Sequence, residues 1–310
     1  MKSDRLAQAI YNLSIKKALL AYDQKRVHQA VDKELRNLYV DHDTWDWQTP
    51  EQVATAWSMG EIKNIISCSL FLKLKDALDT LKARLIIHGN KQILDLFGST
   101  SSPTININIL LLIISICAKK EHDFECIDIA GAYLNVDLPT PEYMRIPRDL
   151  SDILVANDPK LSQYVNNEGC IIVKIKKALY GLKTSGLLWY LELHSTLIDL
   201  GFQRSTIDKC LYSRTVDGKV TLACIYVDDI FLAGNDDGFR SHAIRTIEAR
   251  FKKISRQSLN NVLFVGMQIT KDLDGDISVS QKTLIDNILA DMNINQSSKE
   301  PCSSDAFNLR

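Results

Sequence analysis

The chain has 310 residues, 45% hydrophobic and 24% charged, which is long enough for one large domain or two ordinary ones with a sizeable core. Its 37 basic and 38 acidic residues give a formal net charge of -1, which excludes a globally basic surface, so nucleic-acid binding would need a local patch. The seven cysteines form no Cys-x-x-Cys pair and the six histidines show no zinc-ligand spacing, so we expect buried thiols of a reducing compartment rather than a zinc site or a disulfide framework.

The first third of the chain predicts helix followed by two strands. Residues 1–40 contain no Gly or Pro and predict helix, and residues 48–50 predict a break. Strands are predicted at 65–74 and 81–87, around a polar connector. The longest apolar stretch, residues 109–118, predicts a helix that is far too short to span a bilayer, and no signal peptide opens the chain. We therefore expect a soluble intracellular protein.

Strands and helices mix without strict alternation in the rest of the chain. The predicted strands are 124–129, 171–175, 262–270 and 277–280, the last two forming a hairpin, and the predicted helices are 187–200, 240–251 and 282–292. Pro139, Pro141 and Pro147 predict an irregular connection. This mixture favours an α+β fold over a doubly wound parallel sheet. The basic clusters at 174–183 and 250–256 are typical of solvated faces.

The most informative motif is Tyr226-Val227-Asp228-Asp229. Apolar runs flank the two acids, as in a hairpin with a two-residue tip at Asp228 and Asp229. Adjacent carboxylates beside buried surface raise each other's pKa unless a cation compensates. Oxygen-only clusters of this kind suit Mg²⁺ or Mn²⁺ and indicate phosphoryl chemistry assisted by two metal ions.

Asp128 is the best candidate for a third carboxylate. It ends an apolar strand and precedes three small residues, Ala130, Gly131 and Ala132, which leave room for phosphates to approach backbone N–H groups. Taken alone, an aspartate at the end of a strand is more often a cap of the next element. If the three acids share metal ions, Asp128 must lie within about 10 Å of the other two.

Five blocks in this order resemble the reverse transcriptase of copia-type retrotransposons. The blocks are Lys82-Ala83-Arg84-Leu85 with His88-Gly89 and Gln92, residues 127–147, residues 177–190, Tyr226-Val227-Asp228-Asp229, and residues 264–281. The resemblance covers roughly residues 30 to 300 and contains no recognisable protease, integrase or ribonuclease H segment. It therefore implies a fragment of a Pol polyprotein.

The resemblance implies the fingers and palm of a right-hand polymerase. An antiparallel palm sheet would carry the Tyr226-Val227-Asp228-Asp229 hairpin, with the thumb and connection largely missing. The expected division is a helical N-terminal extension at 1–29, a reverse transcriptase domain at 30–300 and a polar tail at 301–310. Within the domain, the expected parts are fingers at about 30–120 and 139–180, palm at about 121–138 and 181–270, and the start of the thumb or connection at 271–300.

The implied reaction is the addition of deoxynucleotides to a primer 3′-hydroxyl on an RNA or DNA template. Asp128, Asp228 and Asp229 would form the catalytic, metal-binding triad. Asp128 and Asp228 would hold two Mg²⁺ ions, with Mn²⁺ as the alternative metal. Asp229 is the less certain ligand and would chiefly support the hairpin.

The resemblance also implies a nucleotide site, formed by Lys82, Arg84, Ala132, Tyr133, Tyr180, Gly181 and Lys183. Lys82 and Arg84 share one face of a strand and could clamp phosphates, although protective charges on an exposed strand edge are the commoner use of such residues. Tyr133 would lie under the incoming sugar and exclude a 2′-hydroxyl; without its block, a core aromatic would be favoured. Gly181 would let backbone approach the ligand closely.

The segment that resembles the family's primer grip is Phe264-Val265-Gly266-Met267. A plain hairpin core is a nearly equal interpretation of these residues. Two segments depart from the family pattern. The connector at 76–80 lacks the usual basic residue followed by Asp-Gly. Asn135-Val136-Asp137 replaces Asn-Gly-Asp, which predicts a strained turn if Val136 must adopt φ > 0.

The implied partners are primer with template, deoxynucleotides, and the integrase and ribonuclease H of an intact element, with no membrane. The implied location is a cytoplasmic virus-like particle, with the nucleus as an alternative. Two other functions stay open. One is a catalytically inactive remnant with at most weak nucleic-acid binding. The other is a different palm polymerase, such as an RNA-dependent RNA polymerase, against which Tyr133 argues.

Overall fold

The computed structural model describes residues 13–75, 80–93 and 100–292. The described helices are α1 Ile15–Ala21, α2 Gln24–Arg36, α3 Pro50–Ser58, α4 Ile107–Lys120, α5 Arg148–Asn157, α6 Ser185–Asp199, α7 Asp237–Phe251 and α8 Lys282–Asp291, with a π-helix at Asn37–Asp41 and 3₁₀ turns at Gly89–Lys91, Ala132–Asn135 and Pro159–Tyr164. The predicted polar tail and residues 76–79 of the predicted connector lie outside the described residues.

Fifteen strands are found in the described part of the chain. They are β1 Leu13–Ser14, β2 Trp45–Gln48, β3 Ile65–Lys75, β4 Thr80–Ile87, β5 Asp123–Ile129, β6 Asp137–Ile146, β7 Ile171–Lys177, β8 Gln203–Arg204, β9 Leu211–Val216, β10 Lys219–Tyr226, β11 Asp229–Gly234, β12 Ile254–Arg256, β13 Asn261–Phe264, β14 Met267–Lys271 and β15 Ile277–Ser280. The mixture of helices with predominantly antiparallel sheets confirms the predicted α+β class.

The first sheet has the order β1-β3-β6-β7-β2, with β4 added on β3. The β3–β4 hairpin confirms the two strands predicted on either side of the polar connector. Helix α2 buries Val27, Val31 and Leu35 against this sheet, at the i, i+4 and i+8 positions of one helical face. Since these apolar positions share one stripe, the opposite face of α2 is free to be polar.

The second sheet has the order β12-β5-β11-β10-β9-β8 and is antiparallel throughout. The inner strands β5 and β11 are almost continuously buried, because helices α4, α6 and α7 contribute apolar side chains to the same core. The predicted strand at 124–129 is confirmed as β5. The cysteines of this part of the core, such as Cys126 and Cys224, are free and buried, as expected for thiols in apolar runs.

A buried ion network ties three elements of this sheet to α7. Arg240 and Glu125 are each 4% exposed, and the Arg240 Nε donates to Glu125 Oε1 at 3.0 Å. The same guanidinium donates to the Gly234 carbonyl at the end of β11, and Arg256 of β12 donates to the other Glu125 oxygen at 2.7 Å. The buried carboxylate is therefore compensated from two sides, as burial of charge requires.

Some sequence predictions about local structure were wrong. The prolines Pro139 and Pro141 lie inside β6, where a register shift between Asp137 and Glu142 accommodates them. Val136 is extended, at φ −120° and ψ 130°, so the strained turn predicted there does not form. The chain makes a 3₁₀ turn just before it, and the Asn135 side chain donates to the Gly131 carbonyl at 3.2 Å.

The predicted strand at 262–270 is itself a hairpin. Strands β13 and β14 pair with each other, and β15 then pairs with β14 to complete a three-stranded sheet. The tip is Val265-Gly266, and both residues have positive φ, at 50° and 73°. Such a tip is the type I′ geometry that suits the twist of paired strands. In the described residues, no helix is long and apolar enough to cross a membrane.

Replacing Arg240 with Met should lower the free energy of unfolding by roughly 3 kcal/mol, because the buried Glu125 loses one of its two cations. Urea denaturation followed by circular dichroism measures this. The matched control is Arg250→Met on the same helix, whose exposed ion pair with Glu192 should contribute less than about 1 kcal/mol. Equal losses in the two variants would contradict a special role for burial.

Candidate active site

The three aspartates predicted to act together meet at one end of the second sheet. Asp128, at the end of β5, lies directly opposite Asp229 of β11 and, on its other side, opposite Ser255 of β12. Opposite residues of antiparallel strands have Cα atoms about 5 Å apart and side chains on one face. Asp228 immediately precedes Asp229, and its carbonyl accepts from Ile129 N at 3.0 Å. The 10 Å condition set by the sequence is therefore met.

The hairpin tip lies one residue earlier than predicted. Tyr226 pairs with Asp229, so the two-residue tip is Val227-Asp228, and Asp229 belongs to the β-ladder. Val227 has φ 56°, whereas Asp228 has no positive φ, which is the pattern of a type II′ turn. Positive φ is a genuine outlier for a β-branched residue, so the tip is strained.

Trp189 forms a hydrogen bond with this strained tip. The ring is buried in α6, and its Nε1 donates to the Val227 carbonyl at 2.7 Å. Phe251 of α7 packs edge-on against the indole, with ring centroids 5.1 Å apart. Trp189 lies in the predicted helix at 187–200, and its hydrogen bond to the tip was not predicted from the sequence.

The carboxylates are electrostatically coupled. Burial raises the pKa of Asp229 to about 6, with Asp228 and Asp128 adding to the shift and no compensating cation among the described residues. Burial also raises the pKa of Asp228, as does Asp128, while Arg84 opposes the shift. Asp128 lies within 3.5 Å of the Ser255 hydroxyl, which can donate to its Oδ2. Arg84 compensates this negative charge only in part, and a divalent cation would neutralise the rest.

The donor atoms fit Mg²⁺ by their chemistry, since all are carboxylate oxygens. Their arrangement is not a closed ligand shell: in the described part of the chain, no group of three or more His, Cys, Asp or Glu side chains could hold a metal ion as it stands. Asp128 and Asp228 share a cavity, and Asp229 faces Asp128 across the ladder. These are the residues that would hold the ion.

A cavity of about 290 Å³ opens beside the carboxylates. Its lining combines the carboxylates with cations and backbone of several elements: Glu34, Asn37, Leu38, His42, Lys82, Arg84, Asp128, Ala130, Gly131, Leu134, Tyr180, Asp228 and Lys253. Lys82 and Arg84 reach it from the same face of β4. The predicted phosphate-binding pair and two of the three predicted metal ligands thus line one space.

Tyr180 lines the cavity, and Tyr133 packs against it without being one of the lining residues. The Arg84 guanidinium lies 4.4 Å from the centre of the Tyr180 ring, a cation–π contact, and the Tyr180 ring centre is 5.0 Å from that of Tyr133. Burial raises the pKa of Tyr133, and the Asp228 carboxylate adds to this shift. Tyr133 therefore lies close to both the cations and the carboxylates.

The other residues predicted for the nucleotide site, Ala132, Gly181 and Lys183, are not among those that line the cavity. Ala132 is 2% exposed and packs in the core of the second sheet, and it is the preceding Ala130 and Gly131 that line the cavity. Gly181 has φ 100°, and a Cβ there would overlap the Ile87 carbonyl of β4, so the required close approach is to protein backbone. Lys183 is exposed, with its N–H bonded to the buried Gln92.

The predicted primer-grip residues lie in the β13–β14 hairpin. Phe264 and Met267 pair across it and are buried, and Phe264 packs against Phe231 of β11 at 5.5 Å between ring centroids. Val265 and Gly266 are the tip. None of the described residues that line the cavity comes from this hairpin. A contact with primer stays a prediction.

Four cavity residues were not predicted from the sequence: Glu34, Asn37, Leu38 and His42, all from α2 and the turn after it. Lys253 was taken as part of a solvated basic cluster, yet it lines the cavity, and its carbonyl accepts from Ala130 N at 3.0 Å. The Lys253 side chain is exposed and its Nζ donates to Asp41 at 3.2 Å, so it pairs at the surface as Lys176 does with Asp43 and Asp46. A charge run alone does not say which of its members lies at the edge of a cavity.

Val227→Gly should raise the free energy of unfolding by about 1 kcal/mol, because relief of the positive φ outweighs the entropy that glycine loses on folding. Urea denaturation measures the difference. The control is Val220→Gly, in the regular part of β10, the strand that leads into the tip, and it should destabilise by about 1 kcal/mol. Destabilisation by both changes would show that the tip is not strained.

In buffer with EDTA, the free energy of unfolding should fall as pH rises from about 4 to about 6. The folded chain keeps a proton on Asp229 up to about pH 6, whereas an ordinary aspartate releases it near 3.8, so the folded state binds more protons between these values. Asp229→Asn should flatten this slope. Asp217→Asn, at the exposed far end of β10, is the control and should leave the slope unchanged. An unaltered slope in Asp229→Asn would contradict the coupling.

Comparison with known proteins identifies the family of the chain. The profile of the family "Reverse transcriptase (RNA-dependent DNA polymerase)" matches residues 61–303. The retrovirus-related Pol polyprotein from transposon RE2 of Arabidopsis thaliana is 25% identical over 282 residues, 89% of this chain and 18% of that protein. That from transposon TNT 1-94 of Nicotiana tabacum is 25% identical over 239 residues, 75% of this chain and 17% of that protein.

A yeast relative, the Ty1-LR2 Gag-Pol polyprotein of Saccharomyces cerevisiae, is 29% identical over 243 residues, 78% of this chain and 12% of that protein. The chain thus spans less than a fifth of the length of these relatives. Telomerase from Candida albicans, solved with a fragment of telomeric RNA, has a TM-score of 0.42 at 11% identity, covering 87% of this chain and 53% of that chain. The chain belongs to the reverse transcriptase family, as a reverse transcriptase domain of copia-type retrotransposon Pol polyproteins.

Proposed function

We propose that this chain catalyses template-directed addition of deoxynucleotides to a primer 3′-hydroxyl. The observation that supports it best is the cavity in which Asp128 and Asp228 lie with Lys82 and Arg84. A triphosphate needs cations for its non-bridging oxygens and carboxylate-held metal at the reacting phosphate. This cavity presents both kinds of group to one ligand-sized space.

In this proposal the chain's own residues orient the reactants. Lys82 and Arg84 bind the outer phosphates, Arg84 with the fork geometry that suits two oxygens at once. The N–H groups near Gly131, at φ 66°, approach the same phosphates. Tyr133 lies under the sugar and excludes a 2′-hydroxyl, which selects deoxynucleotides.

Asp128 and Asp228 would hold two Mg²⁺ or Mn²⁺ ions, with Asp229 supporting the hairpin. When bound, the metal lowers the pKa of the primer 3′-hydroxyl and neutralises charge on the triphosphate. The raised pKa values of Asp228 and Asp229 support this assignment, because a cation would remove the repulsion that causes them.

The domain division belongs to the same proposal. Fingers would comprise about 30–120 and 139–180, a range that holds most of the first sheet together with α4, which packs against the second sheet. The second sheet corresponds to palm, at about 121–138 and 181–270, with residues 271–300 beginning the thumb or connection. Phe264, Val265, Gly266 and Met267 would position the primer end. The partners would be template with primer and, in an intact element, the integrase and ribonuclease H, inside a cytoplasmic particle or in the nucleus.

Primer extension on an RNA template, with Mg²⁺ or Mn²⁺, tests the activity. Asp228→Asn should reduce the rate by roughly 100-fold or more, because one metal-binding carboxylate is lost. Asp217→Asn removes a carboxylate from the exposed turn between β9 and β10, at the opposite end of β10 from Asp228, and should extend primer at the wild-type rate. If the wild-type chain extends no primer with either metal, the proposed activity is refuted.

One observation favours a second candidate, a catalytically inactive chain that only binds nucleic acid. The formal net charge of -1 gives the chain no overall attraction for nucleic acid, as expected of a chain that binds it at most weakly. Binding of primer–template without extension, with a steep loss of affinity as salt increases, would support it. Incorporation of ribonucleotides in place of deoxynucleotides would instead support an RNA-dependent RNA polymerase.

A further inference from the structure

One wall of the cavity comes from a segment outside the family match. The match begins at residue 61, whereas Glu34, Asn37, Leu38 and His42 come from the end of α2, the π-helix and the loop after it. Glu34 is the unexpected member. A carboxylate repels phosphate, so its presence in a cavity proposed for a triphosphate needs a physical reason.

Glu34 is bound to the strand that carries the two cations. Among the described strands, β4 pairs with β3 alone, along one edge. On the other edge, the Leu85 N–H donates to Glu34 Oε1 at 3.1 Å, and two residues later the Ile87 N–H donates to the Tyr180 carbonyl at 2.8 Å. These two bonds hold the free edge of β4 against α2 and against the residue whose ring stacks on Arg84.

Glu34 also interacts electrostatically with both cations. Burial raises the pKa of its carboxyl, while the Leu85 hydrogen bond and then the charges of Arg84 and Lys82 oppose the shift. Arg84 in turn stabilises the charge on Asp228 across the cavity. Arg84 therefore lies between two carboxylates, one on α2 and one on the hairpin tip. Without Glu34, the attraction to Asp228 would be unopposed.

We propose that Glu34 is a positioning residue for triphosphate binding: it fixes the free edge of β4 through Leu85 and keeps Lys82 and Arg84 directed into the cavity. The inference rests on the proposed function, whose phosphate-binding pair it explains. An apolar residue would serve packing equally well at the end of α2, without placing a negative charge beside an anion site. Its carboxylate is useful there because it accepts the Leu85 N–H and balances the cations while no phosphate is bound.

Isothermal titration calorimetry with inorganic tripolyphosphate tests the inference without any chemistry. Glu34→Ala should weaken binding about tenfold, the usual effect of losing a hydrogen bond to a charged acceptor. Glu34→Gln keeps an acceptor oxygen for Leu85 and removes the negative charge, so binding should equal or exceed that of the wild-type chain. Asp32→Ala is the matched control, because Asp32 lies on the same helix but accepts from Asn157 at 2.9 Å, away from the cavity.

Steady-state primer extension gives a second readout. Glu34→Ala should raise KM for the deoxynucleotide about tenfold and leave kcat within about twofold, with Glu34→Gln restoring KM. If Glu34→Ala does not fold, Glu34→Asp replaces it, since the shorter side chain cannot reach Leu85. The inference would be overturned if Glu34→Ala or Glu34→Asp bound tripolyphosphate as tightly as the wild-type chain. It would also be overturned if Glu34→Ala and Glu34→Gln lost the same affinity. If neither the wild-type chain nor any variant extends primer, the proposed function is refuted. The calorimetric comparison of the Glu34 variants then decides alone whether Glu34 positions the phosphate-binding pair.

Discussion

The register between β5 and β11 is the constraint on which the site depends. Asp128 and Asp229 are separated by about a hundred residues in sequence, yet they lie opposite each other because the apolar residues between Asp123 and Ile129 pair one-to-one with those of β11. A slip of one residue would turn each side chain to the other face of the sheet. Since both strands are buried on almost every residue, such a slip would disrupt the packing on both faces of the sheet, and the packing therefore fixes the carboxylates.

The Glu125–Arg240 network closes the far end of the same strands. Arg240 bonds Glu125 of β5 and the last carbonyl of β11, so the two strands that carry the aspartates are clamped at the end away from them. Trp189 holds the near end through Val227. Between these two anchors the sheet is apolar, and the repulsion among the aspartates is opposed by packing along the whole length of the strands.

Much of this arrangement could be predicted from the sequence. The apolar runs around Asp128 and Asp228 indicated their strands because long β-branched segments leave few alternatives, and the family blocks indicated which acids converge. The tip position could not be predicted, because it depends on whether Asp229 joins the ladder. Strand β6 was missed because Pro139 and Pro141 are ordinarily breakers, and only the bulge accommodates them. Glu34 was missed because a helical pattern shows which face of the helix is polar, not which strand edge that face contacts. Lys253 was missed because a run of charges does not show which of its members lies beside a cavity.

The glycines at 89 and 181 have a further consequence. A Cβ on Gly89 would overlap the Gly181 carbonyl, and one on Gly181 would overlap the Ile87 carbonyl, so each segment occupies the space that the other's side chain would need. Since this contact seats Tyr180 beside β4, any larger residue at either position displaces the tyrosine ring from Arg84. Replacing one glycine does not make room for a side chain at the other, because each Cβ would overlap a backbone carbonyl that stays in place. The backbone contact between these two segments therefore requires glycine at both positions for the fold itself, independently of the chemistry of the site.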